Sequence, residues 1–189
     1  PLRAYVYEPT RPPTGVYLPN TGTSLTGGIY VQGTLTRCLM SVDTDGNQVY
    51  QLTQGSSTDQ ITVNRTSSTT IFYDASTDST HVYSGVPRGV LYTNGTVSDL
   101  RGPDRVSGSP PPTLSDDTQM LVAATGDIVL QRDITYENYD AGHAVLGIYS
   151  SGGSVRVGTS APNDVNVDAF VMATGSNGAF QVDNYSSGN

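Results

Sequence analysis

The sequence predicts an all-β, single-domain β-solenoid, β-helix-like, with coils of about 25–31 residues and almost no helix. Three observations predict it. First, a short apolar segment repeatedly meets a glycine, then one small or polar residue, then an aliphatic or aromatic one: Gly126 to Ile128, Gly153 to Val155 and Gly178 to Phe180. Two better-matched copies lie upstream, residues 29–35 and 91–97, with glycines at Gly33 and Gly95. Successive glycines are 62, 31, 27 and 25 residues apart, which reads as a repeat of one unit with the first gap equal to two units. Second, apolar residues around each glycine sit two apart, as in Ile29/Val31, Ile128/Leu130, Val155/Val157 and Val165/Val167, the period of a strand. Third, Gly, Asn, Asp, Ser and Thr fill the gaps and supply tight corners, while no window of ten or more residues holds a helical apolar period.

The elements follow in chain order. Residues 1–26 form a Pro-rich extended lead-in or cap, with Pro9, Pro12, Pro13 and Pro19 among tyrosines. Residues 27–185 are the solenoid domain. Within it, residues 42–49 predict a hairpin turning on Asp45 and Gly46, and residues 60–64 and 69–73 predict further strands. The series Asp43, Asp45, Asn47 mimics the opening of an EF-hand loop. It fails that test because Gln48 stands where glycine is required and Gln54 where a bidentate glutamate should be. Residues 100–113 predict an extended, solvated loop fixed by Pro110, Pro111 and Pro112. Residues 186–189 predict a flexible tail.

A chain of 189 residues with 35% hydrophobic content suits a narrow apolar stripe inside each coil better than a compact globule, and its 12 tyrosines and alternating aliphatics argue against disorder. The net charge of −8 opposes non-specific attraction to nucleic acid or anionic membranes. All nine basic residues are arginine, which excludes lysine-based catalysis. The single cysteine, Cys38, excludes an intrachain disulfide and reads as a buried small hydrophobe. No apolar run approaches the roughly 18 residues of a membrane span, so this fragment makes no membrane insertion. The start at Pro1 predicts a piece of a longer protein, with any anchor elsewhere.

Catalytic residues are not expected. The 17 acidic residues are scattered, Asp116 and Asp117 form the only adjacent pair, and His81 and His143 stand without a nucleophile motif nearby. No cofactor motif is present and no metal site is predicted. Calcium held by turn carboxylates around Asp164, Asp168 and Asp183 is a subordinate expectation. The one cluster with binding character is Arg88, Arg101 and Arg105 with Tyr83 and Tyr92, a set able to grip a phosphate backbone and stack on bases. Asp99 and Asp104 stand among these residues, so local ion pairs are the competing reading.

The order of residues 83–97, 100–106, 126–128 and 161–173 resembles a family of bacterial β-solenoid domains found in type IV pilus-associated, PilX-like proteins. The resemblance covers roughly residues 27–185, and its steps Val167 to Ala173 and Ser84 to Val90 are not generic strand sequence. The chain is also similar in plan to the solenoid portion of competence-associated minor pilins. This resemblance implies a non-catalytic, extracellular or cell-surface domain of a bacterial pilus-associated protein, acting in display, adhesion or pilus-tip binding. The implied partners are pilus subunits or other surface proteins, with extracellular DNA or glycan beside them. A DNA receptor at the tip of a competence pilus and a glycan-binding or polysaccharide-degrading β-helix are the alternatives.

Overall fold

The computed structural model describes residues 12–140 and 142–183. The described chain is all-β, with fifteen strands and no helix, and so no helix long and apolar enough to cross a membrane. Expectations for residues 1–11 of the lead-in and for the tail at 186–189 lie outside the described residues.

The strands are β1 (Gly15–Tyr17), β2 (Ile29–Gln32), β3 (Arg37–Val42), β4 (Gln48–Gln54), β5 (Ser57–Asn64), β6 (Thr69–Asp74), β7 (Ser79–Ser84) and β8 (Val90–Asn94). They continue as β9 (Val97–Arg101), β10 (Gln119–Ala124), β11 (Ile128–Leu130), β12 (Val145–Ser150), β13 (Val155–Val157), β14 (Phe170–Ala173) and β15 (Phe180–Val182). One sheet runs β1-β2-β8-β10-β12-β14 and the other β15-β13-β11-β9-β3-β4-β5-β6-β7. From β2 to β14, and from β3 to β15 through β9, β11 and β13, neighbouring strands are parallel. Each coil therefore gives one strand to each sheet, and single parallel bridges at Leu114–Tyr136 and Ile134–Val167 mark a third side.

Period-two patterning puts one apolar column after another inside the coil. Ile29, Leu91, Val122 and Ile148 stack in register in the first sheet, and Val97, Ile128 and Val155 in the second, all fully buried. Each such side chain contributes about 1.5–3 kcal/mol by leaving water. Gly33, Gly95, Gly126, Gly153 and Gly178 stack at one corner, as the repeat predicts. A Cβ on Gly95 would lie 2.7 Å from the carbonyl carbon of Gly33, and one on Gly178 would lie 2.8 Å from the Gly153 oxygen. Beside this corner the buried hydroxyls of Thr93 and Ser150 donate to the carbonyls of Gly33 (2.6 Å) and Gly126 (2.8 Å), so polar groups facing inward are satisfied by a neighbouring coil.

The first glycine gap is not two solenoid units. Gly33 and Gly95 belong to adjacent coils, and the extra chain between them is the antiparallel meander β3-β4-β5-β6-β7, which extends the second sheet beyond β3. The meander contains the predicted hairpin and both predicted strands. Asp43 caps the hairpin by accepting the N–H groups of Asp45 (2.9 Å) and Asn47 (2.8 Å), so its carboxylate serves the turn. Gln48 ties the meander to the coil beneath: its Nε2 donates to Ser41 and Thr113 carbonyls, and its Oε1 accepts from Ser115 N–H, each at 3.0 Å. The proline segment at 110–112 is half-buried rather than solvated, because Thr135 Oγ1 donates to the Pro111 carbonyl at 3.1 Å and packs the segment against the next coil.

At the β2/β3 end both sheets are covered. Antiparallel β1 lies along β2 with Val16 and Leu18 buried, and β4 lies along β3. Cys38, on β3, is fully buried, and burial, with the Asp99 charge adding to it, pushes its thiol up to about 12. Iodoacetamide should leave the native protein unmodified and label Cys38 rapidly in denaturant; rapid native labelling would place β3 outside the core.

Candidate functional site

The five residues selected from sequence are spread over two sheets and two connections. Tyr83 lies on β7, half-buried against the core and stacked with His81 at 6.2 Å. Tyr92 lies on the outer face of β8, stacked at 5.9 Å on Tyr30, which in turn meets Tyr17. Arg88 is exposed between the two strands. Arg101 ends β9, and its Nε donates to Asp99 at 2.7 Å. Arg105 follows in the loop. Among the described residues, no hydrogen bond, ion pair or ring contact joins any two of the five.

Arg105, with Arg37, Arg132 and Arg156, instead acts between coils. Arg105 donates through Nε and Nη2 to both oxygens of Asp133 (2.8 and 2.9 Å) and through Nη1 to Asp164 (2.9 Å). Arg37 reaches Asp99 (3.1 Å), Arg132 reaches Asp104 (2.9 Å), and Arg156 reaches Asp183 (3.1 Å). The local pairing expected of Asp99 is present, but the closest-held partners of Arg105 come from later coils. This also disperses the proposed calcium carboxylates: Asp164 faces Arg105, Asp183 faces Arg156, and Asp168 accepts a hydrogen bond from Tyr139 (2.6 Å). Among the described residues no three His, Cys, Asp or Glu side chains converge as metal ligands. His81 is exposed, with Phe72 stacked on one side and Tyr83 on the other, and His143 precedes β12 with its N–H donating to the Asp116 carbonyl.

These pairs contribute to the acid sensitivity of the fold. Hydrogen bonds from Arg105 hold the Asp133 and Asp164 carboxyls below their usual range, and a hydrogen bond from Arg132 does the same for Asp104. A carboxylate with a depressed folded-state pKa stabilises the protein above its unfolded pKa, near 4, and loses that contribution as pH falls through the folded value. Circular-dichroism melts should therefore give a melting temperature nearly constant from neutral pH to about pH 5 and falling steeply below about pH 4. An Asp133→Asn variant should be less stable at neutral pH and show a shallower acid decline. A parallel decline in both proteins would overturn the assignment.

A surface that the sequence did not reveal lies on the outer face of the first sheet. There Gly147 on β12 leaves a gap between Leu121 on β10 and Phe170 on β14; a Cβ on it would press to 2.9 Å from Leu121 Cδ1. The gap is the floor of a shallow groove of about 420 Å³ lined by Leu121, Tyr149, Phe170 and Met172. Phe170 and Met172 are 77% and 60% exposed, so the groove is apolar and open. It shares Leu121 and Gly147 with a second depression of about 550 Å³, which carries Arg65, Asp117 and Gln119. Arg65 arrives from the turn after β5 and is fixed by donation to Thr118 Oγ1 at 3.4 Å. Together the two form one strip across β10, β12 and β14, polar at one end and apolar at the other. Comparison with family models, with curated proteins and with solved structures finds no match to this chain, so the resemblance to pilus-associated domains rests on its sequence steps alone.

Proposed function

We propose that the chain is a non-catalytic, surface-exposed β-solenoid domain of a pilus-associated or other cell-surface protein, acting in display and adhesion. The observation that carries this reading is the contrast between its two sides. On the second sheet and in the loops after β9 and β11, Arg37, Arg101, Arg105, Arg132 and Arg156 are engaged with aspartates. On the first sheet, the strip from Arg65 to Met172 carries an arginine that bonds a threonine and, among the described residues, pairs with no carboxylate. Such a strip suits an extended segment of a pilus subunit or surface protein, apolar along most of its length and polar where it meets Arg65 and Asp117. A phosphate backbone, by contrast, would have to displace Asp99 from Arg101 and Asp133 and Asp164 from Arg105.

Immunogold labelling of the source cells with an antibody raised against the chain tests the location. Label on pili or the cell surface is expected, and label confined to the cytoplasm would overturn the reading. Binding of the tagged chain to intact cells, lost in Leu121→Glu, tests the strip. Anisotropy with DNA probes separates the alternative: tight binding at physiological salt, lost in Arg101→Glu, would replace adhesion with DNA reception.

A further inference from the structure

The end of the solenoid formed by β14 and β15 differs from the other. At the β2/β3 end each sheet edge has an antiparallel strand laid along it. At the β14/β15 end both sheets stop on unpaired edges among the described residues. The core columns also run out there uncovered. Phe180 and Val182 sit in register with the buried Val155 and Val157, facing inward, yet are 56% and 47% exposed. Protected edges carry charges, prolines or bulges. The thirteen residues from Phe170 to Val182 contain no charged residue and no proline.

We infer that this end is the contact surface of a two-fold, tail-to-tail dimer of the chain, in which β14 and β15 each pair antiparallel with their own copies. This goes beyond the adhesive reading and does not depend on it. Three features select a second copy as the occupant. The strands are self-complementary about one axis. Centring β14 on Val171 sets outward-facing Phe170 opposite the second copy's Met172, with inward Val171 on its own image. Centring β15 on Gln181 sets inward Phe180 opposite the second copy's Val182, with outward Gln181 on its own image. Both sheets thus continue across the axis with every side chain on its proper face, as register demands.

The charges also agree. Each chain carries −8, so two copies repel except where they meet on uncharged surface. In this register the flanking Asp168 and Asp183 fall opposite the second copy's Thr174 and Ala179, and no acid faces an acid. Finally, the contact is isologous: it uses the same β14/β15 end of both copies and leaves the other terminal strands, β1 and β7, outside it, so it closes as a dimer rather than growing a filament.

The test is analytical ultracentrifugation of the chain from about 1 to 100 µM, a range that brackets a micromolar contact, with Gln181→Glu and Gln181→Arg variants. Gln181 is exposed and outward, so either charge leaves the folded subunit intact, which circular dichroism checks. The wild type should sediment as a dimer. Each variant alone places a charge against its own image and should weaken the dimer about tenfold or more. An equimolar mixture of the two should restore it as a heterodimer. A wild type that stays monomeric throughout, or a dimer indifferent to both charges, would overturn the inference.

Discussion

Gly95→Ala should lower the melting temperature by about 6–12 °C, corresponding to about 3 kcal/mol, the upper end of what overpacking costs. The new methyl would stand 2.7 Å from the Gly33 carbonyl carbon and 2.8 Å from both the Gly33 oxygen and the Thr34 nitrogen. Those atoms are backbone, held by the parallel pairing of β2 with β8 and the bridge from Leu35 to Val97, so they have no rotamer by which to yield. Gly46→Ala provides the contrast. Gly46 has a positive φ, 78°, but nothing lies within 4 Å of its would-be Cβ, so its substitution carries only the conformational cost of about 1 kcal/mol. Thermal melts of the two variants separate close approach from backbone strain. A Gly95→Ala protein within about 1 °C of wild type would mean that adjacent coils do not touch at this corner.

Arg105→Ala should be the most damaging loss of a single charge. The Asp133 side chain is 1% exposed, and its two oxygens are held by the Arg105 guanidinium. Without that partner the carboxylate keeps the Asn166 N–H (2.9 Å) but no countercharge. Stranding a buried carboxylate costs about 3 kcal/mol or more. Arg105→Lys supplies charge without the planar fork and should recover only part of the loss. Urea unfolding of the three proteins measures it. The double variant Arg105→Leu with Asp133→Leu should be more stable than Arg105→Ala, because it removes the orphaned charge together with its partner. If Arg105→Ala unfolds at the same urea concentration as wild type, the bridge between the proline loop and the next coil is not part of the stability of the fold.

The solenoid was legible because its corner makes a demand that only one residue meets. Gly95, Gly153 and Gly178 press on the backbone of the preceding coil, Gly126 on the Thr96 hydroxyl, and Gly33 takes a positive φ of 98°, so the sequence records the need at each turn. Sequence alone could not show which partner a strand chooses. β4, β5 and β6 alternate apolar and polar residues just as the coil strands do, and nothing in that period distinguishes antiparallel neighbours from parallel ones. An inserted meander therefore read as a missing unit. The partners of the arginines were hidden for a related reason. Asp99 is near Arg101 in sequence, but Asp133 and Asp164 lie 28 and 59 residues from Arg105, and only the register of the coils brings them together. The groove is the same case: Leu121, Gly147 and Phe170 come from three coils, and no local pattern joins them before the coils are stacked.

The stacking has a mechanical corollary. In a solenoid the hydrogen bonds between strands point along the long axis, and the arginine–aspartate pairs span coils in the same sense. Tension applied between the two ends is thus borne by one layer of bonds at a time and peels the molecule coil by coil. Tension across the axis, along the strands, loads the covalent backbone of each coil and draws on many bonds in shear at once. A molecule built this way yields gradually when stretched lengthwise and resists abruptly when pulled from the side, so the direction in which it is tethered decides how much force it withstands.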